Sequence, residues 1–277
     1  MHDYMLVDIR NALYRAIYAG MKESDEDYGI MIFFRFMASY IRQLKPASVH
    51  FFWDDIKYNV WRTRLYSEYK GNRDLKDREK VDALLERYSE IIRELVPVCG
   101  CRNYFVPKQE ADDLIYAFCR QNLGNNMIII SSDGDFRQLV YSFRNIQLYN
   151  PMGKEERIYE SDGINPIELK CFVGEKADNI PGYPGIGPVK GKKLVTDSNY
   201  RNKFFGDNGV GVYIRNKALI DLSLCPYTLR NMKMIISTMQ KPVKYDASGM
   251  IKIIQKYKVK GLMGEMSTSL FPFKGLC

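Results

Sequence analysis

Short runs of consecutive apolar residues alternate with longer segments of helical spacing through the first half of the chain. Tyr4–Asp8, Ser48–Trp53 and residues 127–131 are compact and rich in aliphatic and aromatic side chains, and they read as buried strands. Tyr28–Leu44 and residues 81–96 and 112–123 read as helices. In the second of these, Val81, Leu84, Leu85, Tyr88, Ile91, Ile92 and Leu95 keep to one face, while the other face is charged. This alternation predicts an α/β fold: a mostly parallel central sheet with helices on both faces.

Two stretches break the pattern. Residues 62–80 hold Lys70, Arg73, Lys76, Arg78 and Lys80 with little apolar periodicity, as a solvated linker would. After about Lys203 the chain has helical pieces, such as residues 226–240, and Gly-rich turns, with no evident chemistry.

Composition narrows the picture. At 277 residues and 46% hydrophobic content, the chain can build one large domain, or a domain with a substantial appendage. A formal charge of +8 favours a polyanionic partner. The six cysteines form no zinc-like CxxC pair, and reduced thiols in a cytosolic protein are expected. The first strand lies so near the start that a targeting sequence is not expected. Arg35 breaks the most apolar helical stretch, which argues against a membrane span. With only His2 and His50, a His-rich zinc site is excluded, and any metal must be held by oxygen.

Residues 171–195, CFVGEKADNIPGYPGIGPVKGKKLV, are the most informative segment. Gly185-Ile186-Gly187 frees backbone amides for close approach to an anion. Pro188 suits the first helical position, and Lys190, Lys192 and Lys193 add positive charge. Such a unit can grip a nucleic-acid backbone without reading bases. Glu175 and Asp178 just upstream would repel phosphate unless metal ions lay between, and this conflict suggests metal-dependent phosphodiester cleavage.

The remaining acids fall where an open α/β sheet collects ligands, outside the carboxyl ends of its strands. Asp8 ends the first strand, Asp55 or Asp54 the second, and Asp133 and Asp135 follow the third. Glu110, Asp112 and Asp113 open a helix entering from the same side. Singly, each has an ordinary explanation as a helix cap, a helix-dipole partner or a turn residue. Together, such carboxylates would raise one another's pKa without cations. Two Mg²⁺ or Mn²⁺ ions resolve this, and about 4 Å apart they can activate a water and steady both reacting oxygens. No Ser-His or Cys-His pairing competes.

These motifs resemble the flap endonuclease and 5′-to-3′ exonuclease family, especially its phage members, over roughly residues 1–200. Asp8-Ile-Arg-Asn11 matches the first strand-end acid with Asn three residues on, and Arg15 falls where a substrate-contacting Arg is common. Asp55-Ile-Lys, Trp61-Arg62 and Glu68-Tyr69-Lys70-Gly-Asn-Arg73 match the second acid and the base of a helical arch. Counting back from Tyr69-Lys70 favours Asp55, and Asp54 stays open. Glu110-Ala-Asp112-Asp113 and Asp133-Gly-Asp135-Phe match the two most specific acidic motifs. Glu175-Lys-Ala-Asp178, followed by Gly182-Tyr-Pro-Gly185-Ile-Gly187, matches the last acids and a helix-three-turn-helix DNA-binding unit. Glu175 departs from the pattern, since relatives usually carry Asp there.

The resemblance implies a PIN-like 5′-nuclease fold, with a catalytic core over residues 1–160 that includes an arch at about 62–96. A C-terminal helical region over 161–277 would carry the DNA-binding unit at about 172–206. It implies that Asp8, Asp55, Glu110, Asp112, Asp113, Asp133, Asp135, Glu175 and Asp178 hold two divalent ions. Lys70 and Arg73 would contact the scissile phosphate. Arg15, Arg62, Tyr69, Gly182, Gly185, Gly187, Lys190, Lys192 and Lys193 would contact nucleic acid, Tyr69 by stacking on a terminal base, and K⁺ would bind at the hairpin. The expected function is Mg²⁺-dependent hydrolysis near 5′ ends, flaps, nicks or RNA primers in replication. DNA and RNA–DNA hybrids are the expected substrates of a monomer with no membrane partner, in the cytoplasm (a host's, if phage-encoded). A PIN-type ribonuclease and a non-catalytic DNA-binding replication accessory protein are the competing readings.

Overall fold

In the computed structural model the described residues are 2–55, 60–71, 78–152 and 158–276. Five strands form the central sheet: β1 (Tyr4–Asp8), β2 (Ser48–Trp53), β3 (Arg102–Phe105), β4 (Met127–Ile130) and β5 (Ile146–Tyr149). All neighbours are parallel, in the order β3-β2-β1-β4-β5. The chain leaves β1 toward β2 on one side and later returns to place β4 on the other. The crevice at the carboxyl ends of β1 and β4 is therefore the switch point where such sheets bind ligands.

The strand interiors are apolar on both faces because both faces are covered. Met5, Val7, Val49, Phe51, Trp53, Ile128 and Ile130 point into one core. It is shared with α1 (Ile9–Gly20), α2 (Tyr28–Leu44) and, after the five-residue α3 (Trp61–Leu65), the long α4 (Arg78–Val98). Leu6, Phe52, Tyr104, Met127 and Ile129 point the other way, against α5 (Ala111–Gln121) and Leu139 of α6 (Arg137–Ser142). The expected mostly parallel sheet with helices on both faces is thus the observed architecture. The edge strands β3 and β5 are additions to the sequence reading. Each has only four residues, and Arg102, Asn103 and Gln147 interrupt the apolar signal.

A second unit follows. Helix α7 (Pro166–Val173) runs into a small antiparallel hairpin of β6 (Gly174–Glu175) and β7 (Ile180–Pro181), then α8 (Pro188–Thr196), α9 (Ser198–Asn208) and α10 (Gly211–Ile220). Phe172, Tyr183 and Leu194 form its own small core, ringed by Phe204, Phe205 and Tyr213. At Gly182 a Cβ would meet the Val173 backbone at 2.3 Å, so only glycine lets the hairpin close onto α7.

The last residues return to the sheet. Helix α11 (Thr228–Met239) packs on α5, α12 (Ala247–Tyr257) packs on α4, and α13 (Lys260–Gly264) with the helical turns 266–276 covers α2. Met250, Ile254, Leu262, Leu270 and Phe273 are fully buried in the first core. The expected arch at about 62–96 is likewise partly core, because α4 from Val81 onward buries its apolar face under the sheet. Among the described residues no helix is long and apolar enough to cross a membrane.

Candidate active site

Each acid reaches the switch-point crevice for a local reason. Asp8 ends β1 and caps α1: the Asn11 backbone N–H donates to it at 3.3 Å, and the Ser131 hydroxyl donates at 3.0 Å. Asp133 and Asp135 lie in the tight turn after β4, where the Asp135 N–H donates to Asp133 at 2.9 Å. Asp112 sits in the first turn of α5. Carboxylate oxygens of Asp112, Asp133 and Asp135 lie within 4.8 Å of one another.

Cations are unevenly shared. Lys70, on a left-handed turn residue with φ of 58°, ion-pairs with Glu110 and lies 3.7 Å from Asp178. Arg62 donates to Glu110 at 2.7 Å and grips Asp113 with both terminal nitrogens. The Tyr69 hydroxyl donates to Asp178 at 3.0 Å and to Glu110 at 3.2 Å. Lys170 ion-pairs with Asp135 and donates to both oxygens of Glu175, at 2.8 and 2.7 Å. Among the described residues, Asp8, Asp112 and Asp133 form no ion pair.

The electrostatics follow this division. Burial, then Asp54 and Asp133, pushes Asp8 up to about 7. Burial and Asp133 push Asp112 well up, and burial and Asp135 raise Asp133. Burial works against ionisation of Glu110 as well, but Lys70 and Arg62 outweigh it and hold that group down at about 2. Asp135 is lowered despite burial, chiefly by Lys170. Burial and Asp135 carry Glu175 up to about 8 even beside Lys170.

The structure corrects several expected placements. Asp54 rather than Asp55 faces the cluster: its charge acts on Asp8, and it accepts the Ala111 N–H at 2.8 Å at the start of α5. Asp55 instead accepts the Lys108 N–H at 2.7 Å, on the side toward Arg93. Asp113 is spent on Arg62 and on the Trp61 indole N–H at 2.9 Å, so it braces the cluster from behind. Arg62 is 2% exposed and cannot touch nucleic acid. The Tyr69 ring is buried against Val60, Ile180, Leu219 and Ile220, which removes it as a stacking platform. Arg73 lies outside the described residues.

The remaining expected contacts lie on other surfaces. Arg15 donates to the Tyr40 hydroxyl at 3.2 Å, over the Phe36 ring. Gly185, with φ of +73°, and Gly187 both have open space where a Cβ would be. The Lys190 ammonium is 3.4 Å from the Gly185 carbonyl, Lys192 pairs with Asp162 at 2.9 Å, and Lys193 covers the Tyr200 ring.

Sequence reasoning missed Lys170 and Arg10. Lys170 stands five residues before Glu175, across the sharp turn at Gly174, and that spacing was the available signal. Arg10 follows Asp8 by two residues and lies in the field of Asp54 and Asp8.

The chain resembles known proteins in both sequence and fold. Residues 3–166 match the family described as 5′-3′ exonuclease, N-terminal resolvase-like domain. A 5′-3′ exonuclease of Halalkalibacterium halodurans is 30% identical over 213 residues, covering 69% of this chain and 68% of that protein. One from Mycoplasma pneumoniae is 29% identical, covering 77% and 78%. DNA polymerase I of Streptococcus pneumoniae is 27% identical over 70% of this chain, which corresponds to 24% of the polymerase. Among solved structures, the fold is similar to the T5 D15 protein co-crystallized with metal ions (TM-score 0.62, 20% identity, 92% of this chain and 98% of that one). It is also similar to the catalytic core of Rad2 in complex with DNA substrate (TM-score 0.51, 17% identity, 100% and 93%). A family match over more than half the chain, with strand-end acids gathered at one crevice, has one consequence: the chain belongs to the 5′-3′ exonuclease family.

Proposed function

We propose that this 5′ nuclease is a divalent-metal-dependent enzyme that hydrolyses phosphodiesters in DNA at 5′ ends, flaps and nicks. The observation that carries the reading is the convergence of Asp112, Asp133 and Asp135 within 4.8 Å beside Asp8, with Lys70 at the rim. The donor set fits hard divalent ions, since it is carboxylate oxygen throughout, and three of its members form no ion pair among the described residues. Asp8, Asp112 and Asp133 would hold one Mg²⁺ or Mn²⁺, and Asp135, Glu175 and Asp178 a second. Such ions, when bound, supply a water nucleophile at neutral pH and charge stabilisation for the phosphoryl oxygens. The D15 protein of bacteriophage T5 has a described complex with DNA and metal ions, which supports the same reading here.

The chain's own groups have separable tasks. Lys70 places a fixed positive charge where negative charge develops on the scissile phosphate. Arg62, Tyr69 and Trp61 hold Glu110, Asp113 and Asp178 rigid, so that the acids facing the crevice do not drift. The Ile186 N–H is spent on the Tyr183 carbonyl at 3.1 Å, so the amides of Gly185 and Gly187 and the ammonium groups of Lys190 and Lys193 grip one strand of duplex DNA. A K⁺ ion at this hairpin would compete with the Lys190 ammonium for the Gly185 carbonyl, which accepts from it at 3.4 Å.

The decisive experiment is a product map on a 5′-labelled flap, a nicked duplex, an RNA–DNA hybrid and plain single-stranded RNA, each with Mg²⁺ and with chelator. Cleavage near the 5′ end that disappears with chelator is expected. Efficient cutting of single-stranded RNA would favour a PIN-type ribonuclease. Tight flap binding with no cleavage would leave an accessory protein.

A further inference from the structure

Lys170 is a cation that the acidic crevice carries within itself. Its ammonium, on a side chain 20% exposed, contacts Asp135 and both oxygens of Glu175. The geometry is built in. Lys170 lies in the last turn of α7, and Gly174, with φ of +80°, reverses the chain so that Glu175 folds back onto it. A Cβ at Gly174 would lie 2.3 Å from the Gly182 nitrogen, so the reversal is held by the hairpin behind it. On the other side of the crevice, Asp8, Asp112 and Asp133 have no such partner among the described residues.

We propose that Lys170 is a gate on the second divalent ion: the ammonium occupies the place between Asp135 and Glu175, and the ion binds by displacing it. The inference rests on the metal-dependent reading above and concerns how the two ions differ. A divalent ion needs the carboxylate lone pairs that the ammonium now engages. Two cations cannot share that space without strong repulsion in a crevice from which water is largely excluded. The first ion enters a set of oxygens that form no ion pair among the described residues, whereas the second must break a charge-assisted contact with three carboxylate oxygens. Occupancy is therefore stepwise, and Lys170 keeps the crevice neutral enough to stay folded before the second ion arrives. The longer arm of Glu175 allows this reach back to α7.

Titration of the metal-free full chain with Mn²⁺, followed calorimetrically, tests the gate in wild type, Lys170→Met and Lys170→Arg. Wild type should show a tight and a weak ion. Lys170→Met should tighten the weak one by about tenfold or more, the scale of a lost charge-assisted contact. It should also lower the melting temperature of the metal-free protein, with recovery in Mn²⁺. Lys170→Arg, which keeps the charge, should retain the weak second ion. An unchanged or weaker second ion in Lys170→Met, with both ions bound by wild type, overturns the gate and leaves the metal reading intact. Failure of wild type to bind any Mn²⁺ removes both. Should Lys170→Met not fold without metal, Lys170→Gln, which keeps a hydrogen-bond donor, is read by the same two criteria.

Discussion

The acid crevice and the hairpin unit handle charge in opposite ways. In the crevice, carboxylates are buried or half-buried and set against one another, and Arg62, Tyr69 and Trp61 fix Glu110, Asp113 and Asp178 behind them by hydrogen bonds. In the hairpin unit, Lys190, Lys192 and Lys193 stand exposed on a nine-residue helix whose local core is a handful of aromatic rings. Chemistry needs groups held within a fraction of an ångström, and a backbone grip needs only positive charge and open amides. The contrast predicts that damage to the first region will show in turnover and damage to the second in affinity.

The sharpest break is Asp133→Asn, which removes a negative charge from the middle of the cluster. Single-turnover cleavage should fall on the order of a thousandfold, about 4 kcal/mol at the barrier. Flap affinity measured by fluorescence anisotropy in Ca²⁺ should stay nearly constant; a parallel loss of affinity would merge the two regions. Lys70→Ala should come next, with cleavage down roughly a hundredfold, in the range of a lost charge-stabilising donor. Equal losses in rate and affinity would make Lys70 an ordinary phosphate contact.

On the other side of the comparison, Gly185→Val forces a β-branched side chain into a left-handed backbone, a strain of roughly 1–3 kcal/mol. Duplex affinity should weaken by about tenfold while the rate at saturating DNA holds. A fall in that rate would place the hairpin inside the catalytic region.

The crevice alone should set an unusual pH response. A carboxyl raised in the folded state binds its proton more tightly there than in the unfolded chain, so its contribution to stability is lost as pH rises. Asp8, raised to about 7, and Glu175, raised to about 8, both titrate in this sense. Glu110, held at about 2, loses its contribution only as pH falls below the ordinary glutamate range, outside that window. Metal-free protein should therefore melt several degrees lower at pH 8 than at pH 5, and Mg²⁺ should flatten the trend. A metal-free melting curve insensitive to pH would contradict the uncompensated side of the crevice. The smallest effect belongs to Lys193→Ala: a two- to threefold loss of affinity, with the salt slope reduced by about 0.9 if one phosphate contact goes.

The same contrast explains what could be read from the sequence. The strands β1, β2 and β4 are strongly apolar runs, and the acids at or just after their ends were legible because a strand end fixes where the next residue points. The choice between Asp54 and Asp55 was not legible. Adjacent residues leave a strand toward opposite sides, and only the docking of α5, through the Ala111 N–H on Asp54, settles which one faces the crevice. Arg62 and Tyr69 were expected at the nucleic acid only because the family resemblance implied it, and nothing in their own segment shows them buried. Their burial depends on Leu219 and Ile220, more than a hundred residues away. Lys170 was hidden for a related reason: its partners meet it only after the chain reverses at Gly174.

The return of residues 247–276 to α2 and α4 bears on how the protein is made. Every carboxylate of the crevice is encoded before residue 180, yet Phe34 gains its neighbour Phe273 only after residues 247–276 have been translated. A nascent chain that stops short carries the complete set of acids on a core with an open flank. Until that segment docks, apolar surface of the first core stays exposed beneath an already complete set of acids.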